Sequence, residues 1–225
     1  MISPLKINVR LWGTNIGQLV WEEYGRVATF QFSEDYFEMP YNILPTKPVK
    51  TLAPILGNIG EKYHGLPPFI ADSLPDSWVS AVFEKWAREN ALDPKDCNPL
   101  FKLAYIGRRG IGALEFIPDI EGNGSDVRNP ATLETLANRI YNDRAAATIG
   151  PEEKEDFKAF AKLGSPPGGA HPKILIALND ANDTIISGQT DPIEGYTQYI
   201  LKFKEDYGVP SSELEYVYYL MARNA

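Results

Sequence analysis

The chain has 225 residues, of which 44% are hydrophobic, and a formal net charge of -8 at pH 7. That length allows one large domain or two small ones, and the acidic balance argues against unaided nucleic-acid binding, which needs clustered Lys and Arg against phosphate. The single cysteine, Cys97, excludes an internal disulfide framework and fits a reducing compartment.

Residues 6 to 32 read as antiparallel strands. Ile7, Val9 and Leu11 alternate with polar neighbours, Gly13-Thr14-Asn15 supplies a turn, Ile16 to Trp21 is a second run, and Val27 to Phe32 a third with Ala28, Phe30 and Phe32 on one face. Short strands at this spacing predict a small meander or barrel. Residues 38 to 70 are rich in Pro and Gly and are expected to be mostly irregular. A helix then opens near Asp72-Ser73-Leu74-Pro75-Asp76 and runs to about Asn90, with Trp78, Val82 and Trp86 at i, i+4, i+8 beside Val79 and Phe83. Ser73 or Asp76 could cap it, and Pro75 suits an early helical position. A second helix is expected over Asp96 to Ile106, with Leu100, Leu103 and Ala104 inward. Ile106-Gly107-Arg108-Arg109-Gly110-Ile111-Gly112 is a glycine-rich turn entering the strand around Leu114 and Phe116. Its paired arginines could bind a phosphate or carboxylate; the plainer alternative is a solvated or structural ion pair.

Pro118 to Pro130 is polar around Gly122-Asn123-Gly124-Ser125 and is the best linker in the chain. Ala131 to Asn142 and Pro151 to Leu163 have helical patterns, the second beginning with Glu152, Glu153 and Glu155, where the helix dipole favours acids. Next comes Leu163-Gly164-Ser165-Pro166-Pro167-Gly168-Gly169-Ala170-His171-Pro172-Lys173, a glycine-rich loop leading into the apolar strand Ile174 to Leu178. Successive backbone N–H groups in such a loop can cradle an anion. Pro166, Pro167 and Pro172 have no N–H to give, so the donors are Gly164, Ser165, Gly168, Gly169, Ala170 and His171. The plain alternative is a tight helix-to-strand connection, and the loop lacks the Walker pattern around Lys173.

A strand is expected over Gln198 to Lys204, with Lys202 an isolated charge on the face opposite Leu201. Lys202 is either an edge lysine with its head in water or a lysine that reaches phosphates. Ser211 to Ala225 reads as a helix with an apolar face of Leu214, Val217, Tyr218 and Met221. Ser212 and Glu215 have capping-box spacing, which would account for Glu215 without any catalytic role. One Cys and two His cannot build a zinc site, and no nucleophile elbow is present. The first residues carry no signal pattern and no apolar run reaches the length of a membrane span, so a soluble cytoplasmic protein is expected.

The motifs, taken in order, resemble the HipA family, the serine/threonine-kinase toxins of bacterial HipBA-type toxin–antitoxin systems. They are Leu74-Pro75-Asp76-Ser77-Trp78; Ile106-Gly107-Arg108 with Gly112-Ala113-Leu114; Gly164-Ser165 with Gly168-Gly169-Ala170-His171-Pro172-Lys173; Tyr199-Ile200-Leu201-Lys202-Phe203; and Glu213-Leu214-Glu215-Tyr216 with Leu220-Met221-Ala222. The resemblance implies an α+β chain. An N-terminal subdomain of β-meander or barrel plus helices would occupy residues 1–120, and a linker 121–130. The small lobe of a protein-kinase-like fold would occupy 131–225, with the large lobe absent. It implies that Gly164, Ser165, Gly168, Gly169, Ala170 and His171 cover ATP phosphates, that Lys202 contacts the α- and β-phosphates, and that Glu215 is its ion-pair partner. Ser165, the only hydroxyl in the loop, would be the autophosphorylated serine, with Arg108 and Arg109 as candidate phosphoserine partners. The catalytic aspartate and the ligands for Mg²⁺ are expected downstream of Ala225, so this chain would transfer no phosphate by itself. The implied partners are a cognate DNA-binding antitoxin and a protein substrate of the aminoacyl-tRNA synthetase class, glutamyl-tRNA synthetase being the best-known case. No direct binding of nucleic acid by this acidic chain, and no membrane partner, is expected. The competing reading is a non-catalytic interaction module that docks an antitoxin or a separate kinase lobe.

Overall fold

The computed structural model describes residues 6–44, 51–118, 171–181, 185–188, 193–203 and 211–225. The linker at 121–130, the two helical patterns at 131–142 and 151–163 and the loop residues Gly164 to Ala170 lie outside the described residues.

The first three strands follow the alternation of the sequence: β1 Lys6–Leu11, β2 Thr14–Glu22 and β3 Val27–Phe32. Ile7, Val9, Leu11, Leu19, Trp21, Ala28, Phe30 and Phe32 are buried on one side, while Gln18, Val20, Glu22 and Gln31 face out. The β1–β2 turn is tighter than expected. Leu11 pairs with Thr14, which leaves a two-residue loop of Trp12 (φ 48°) and Gly13 (φ 80°). Positive φ at both positions is the twist that a two-residue hairpin requires. A bulge between Val9 and Arg10 then lets both Ile16 and Gly17 turn inward.

The described residues of the region from 38 to 70, which leave out 45–50, are largely irregular, with a short 3-10 turn at Glu34–Glu38 ahead of them, another at Glu61–Tyr63, and a four-residue helix α1, Pro68–Ala71. The region also carries a two-residue strand, β4 Ile55–Leu56, along β3. Backbone bonds hold it there: Gly57 N–H to Ala28 O and Ala28 N–H to Gly65 O, both 2.7 Å. Gly65 has φ 77° and a Cβ there would sit 2.3 Å from Arg26 O, so only glycine fits this crossing.

Helix α2 spans Ser77–Glu89. Asp76, not Ser73, is the cap, its carboxylate accepting from Val79 N–H at 3.4 Å, and Pro75 precedes the cap and lies outside the helix. Helix α3 begins at Pro99 and ends at Ile106, three residues later than expected at its start. The reason is local: Asn98 accepts from Phe101 N–H at 2.9 Å and Pro99 occupies the first helical position. Asp96 falls in a separate 3-10 turn, Pro94–Asp96. Val79, Val82, Phe83 and Trp86 of α2 pack with Leu100, Phe101, Leu103 and Ala104 of α3 and with the inner face of the sheet in one core. Strand β5, Leu114–Ile117, returns to pair antiparallel with β1. The result is an antiparallel five-stranded sheet of order β4-β3-β2-β1-β5 with α2 and α3 in its core, an α+β arrangement.

A second antiparallel sheet has the order β7-β6-β8, from β6 Lys173–Asn179, β7 Ile185–Ser187 and β8 Tyr196–Lys202. Strand β7 was not foreseen, since three residues are too short to show a period. Helix α4, Ser211–Arg223, follows. Its expected apolar face is not buried: Leu214, Val217, Tyr218 and Met221 are all exposed.

Candidate functional site

The β6–β8 ladder brings the exit of the glycine-rich loop onto the strand that carries Lys202. Lys173 opposes Lys202 in register, and Phe203 N–H donates to Pro172 O at 3.0 Å. Directly opposed residues of an antiparallel pair point to the same face, so Lys173 and Lys202 share one. Lys173 is 8% exposed. His171, the only described member of the expected phosphate-binding loop set, is exposed two residues before it.

On that side of β8, the Lys202 ammonium donates to Oε1 of Glu215 on α4. Their side chains are 52% and 60% exposed, so the pair is open to solvent. Glu215 does not complete a capping box: Ser212 lies inside α4, one residue after its start, and the carboxylate is directed to Lys202. This geometry needs a strand and a helix that are close in space, and it joins two residues 13 apart in sequence. Lys173 was missed as a site residue. The signal was present, because a lysine at a loop exit leading into an apolar strand must either turn outward or be paired, but only the register shows that it faces Lys202. Lys202, exposed and steered by a carboxylate, is a cation that could meet a phosphate oxygen.

The paired arginines lie in the turn between α3 and β5 of the first domain. Arg109 is 1% exposed, its guanidinium donates to Tyr105 O, and its charge lies 4.9 Å from the Tyr105 ring. Arg108 is half exposed with Nε 3.6 Å from Glu115 Oε2. Of the two, Arg108 is therefore the one placed to meet an external anion, and that anion would compete with Glu115.

A separate open cleft of about 1240 Å³ runs along the first domain, with Trp21, Arg26, His64, Asp96, Cys97 and Lys102 among its walls. None of Lys173, Lys202 and Glu215 lines it. Burial pushes the Cys97 thiol above its ordinary value, Lys102 pulls it down, and Asp96 and Asp93 add to the rise. A thiol shifted upward holds less thiolate, the reactive form. Cys97 should thus alkylate with iodoacetamide several-fold more slowly than free cysteine at the same mildly alkaline pH, and faster as pH rises. Reaction as fast as the free amino acid would show that the burial seen here does not govern the thiol.

The architecture defines an α+β domain, an antiparallel sheet closed over two helices, followed in the chain by a small sheet bearing a lysine–carboxylate pair. Residues 7–117, about half of the chain, match the HipA N-terminal domain family, and this part of the chain is a HipA N-terminal domain. No curated protein matches the chain. The domain supports a toxin–antitoxin setting of HipA type. Among the described residues, no helix is long and apolar enough to cross a membrane.

Proposed function

We propose that the chain is the N-terminal part of a HipA-like serine/threonine protein kinase toxin, with residues 131–225 forming the small lobe of its kinase-like fold. The Lys202–Glu215 pair carries this reading. It is the strand-lysine and helix-glutamate arrangement that protein kinases use at the α- and β-phosphates, and here it stands beside the exit of a glycine-rich loop. In this assignment Lys202 binds phosphate oxygens, Glu215 holds the ammonium in position, and Lys173 adds charge from the neighbouring strand. Backbone N–H groups of Gly164, Ser165, Gly168, Gly169, Ala170 and His171 cover the phosphates. When bound, ATP would supply the γ-phosphoryl group and Mg²⁺ would offset charge on its phosphates. The transfer is to a protein hydroxyl. The partners in this reading are a DNA-binding antitoxin and a protein substrate, with an aminoacyl-tRNA synthetase as the substrate class, in the cytoplasm.

Ser165 supplies the test. A phosphoserine adds about -1.5 to -2 charges at neutral pH. In a loop whose N–H groups hold ATP phosphates, that charge repels the nucleotide and takes the same donors, with Arg108 as an alternative partner. Full-length protein incubated with ATP and Mg²⁺ should acquire phosphate on Ser165, with kinase activity falling as it accumulates. Phosphate found only at other sites, or undiminished ATP binding by the Ser165-phosphorylated form, would reject this assignment.

A further inference from the structure

We propose that the exposed Trp12–Tyr41 pair, together with the acidic turn beside it, is a docking site for a basic, arginine-bearing protein segment. Trp12 is 63% exposed and Tyr41 51%, and their rings meet edge to face at 5.0 Å between centroids. Trp12 occupies the tip of the β1–β2 hairpin at φ 48°. A bulky side chain is disfavoured in that left-handed region, and burial of the ring does not offset this, since the ring is largely exposed.

The patch is built on a firm base. Trp12 N–H donates to Ala113 O at 3.4 Å, and Gly13 N–H to Glu115 Oε1 at 2.9 Å. The segment that carries Tyr41 is pinned by Tyr36: its hydroxyl donates to Asn42 Oδ1 at 2.9 Å and accepts from Ile43 N–H at 3.0 Å. Tyr36 is itself buried and stacked on Phe32 at 4.2 Å. Both rings are therefore presented in place before any partner arrives, which lowers the ordering cost of binding.

Charge selects the partner. The 3-10 turn Glu34–Glu38 lies beside the hairpin tip, because Ser33 is tied to β2 through Asn15 O at 2.8 Å and Ile16 O at 2.9 Å. Glu34, Asp35, Phe37 and Glu38 of that turn are exposed. Among the nearby cations, Arg108 sits against Glu115 and Arg10 opposes Glu115 in register, so both face an acid of this chain. Exposed rings on the same end of the sheet as an exposed acidic turn suit a guanidinium, which can stack on aromatics and pair with acids. The whole chain has the same sign, at -8. A DNA-binding antitoxin, the partner class proposed above, must carry clustered Lys and Arg of this kind, although the docking chemistry stands without the phosphate site.

The test follows the tryptophan indole signals of nitrogen-labelled protein, with the Trp12 signal assigned by its loss in Trp12→Asn. The probe is a short peptide of alternating arginine and glycine, compared with its lysine counterpart. The arginine peptide should shift the Trp12 signal saturably, and the lysine peptide should bind more weakly. Trp12→Asn and Tyr41→Ala should each weaken peptide binding about fivefold or more, in line with a cation–π contribution. Asparagine tolerates left-handed φ, so Trp12→Asn should unfold at the same or a higher temperature, which separates lost binding from lost structure. Equal affinity in Trp12→Asn, or no shift of the Trp12 signal, overturns the proposal. A Trp12 shift that depends on protein concentration alone assigns the patch to a second copy of the chain and also overturns it. ATP binding enters none of these readouts, so the kinase reading stands or falls separately.

Discussion

Replacing Lys202 with alanine is expected to weaken ATP binding about tenfold and to lower the kinase rate of the full-length protein about a hundredfold or more, with no loss of fold. The rate figure follows from removing one preorganised cationic contact to the transferring phosphates. The fold should survive because both partners of the Lys202–Glu215 pair are more than half exposed, and exposed pairs contribute only about 0–1 kcal/mol. Glu215→Gln keeps the shape and removes the charge that steers the ammonium, so it should lower the rate while leaving the unfolding midpoint in place. Calorimetric ATP titration, rate measurement and thermal unfolding on the same three proteins decide the matter. Unchanged affinity and rate in Lys202→Ala would make Lys202 a solvated edge-strand lysine and remove the main support for the kinase reading.

Phe83→Ala should be the most damaging single truncation in the HipA-type domain. Phe83 is 1% exposed and its ring meets Trp86, Phe101 and Tyr105 at 5.9, 6.4 and 5.1 Å. It joins α2 to α3 under the sheet. Truncating a buried Phe to Ala costs about 3–5 kcal/mol, from lost transfer energy plus the cavity left behind. Domains of this size have total stabilities of about 5–15 kcal/mol, so the substitution removes a large share. Urea unfolding monitored by tryptophan fluorescence should show a midpoint far below wild type, with Phe83→Leu intermediate. A loss under about 1 kcal/mol would mean that the helices do not depend on this ring cluster. By contrast, Lys202 should tolerate substitution without unfolding, because its side chain is more than half exposed.

Much of the first domain was legible in the sequence. The alternation at Ile7, Val9, Leu11 and at Ala28, Phe30, Phe32 has a period of two, and a sheet with one face in a core admits no other register of sides. The helix carrying Val79, Val82, Phe83 and Trp86 was equally readable from its apolar spacing, and Asp76 was one of the two caps that local chemistry allowed. Lys202 stood out as a lone charge in an apolar strand. These features depend on neighbours within a few residues, and the sequence contains all of those neighbours.

Contacts between distant segments decided the rest. Strand β4 is two residues long and exists because Gly57 and Gly65 bond to Ala28 across the sheet edge. Strand β5 closes on β1 from about a hundred residues away. The two-residue turn at Trp12-Gly13 follows from the Leu11–Thr14 pairing, whereas the sequence placed the turn at Gly13-Thr14-Asn15. Arg108 and Arg109 are adjacent in sequence, yet one reaches solvent beside Glu115 and the other is enclosed against Tyr105. Glu215 had two sufficient explanations, a capping box and an ion pair. The choice between them depended on whether Ser212 ended up at the helix cap or inside the helix, and on whether β8 lay within reach of α4. The tertiary structure put Ser212 inside and Lys202 within reach. A carboxylate follows the nearest cation, and local sequence does not specify which cation the fold will bring to it.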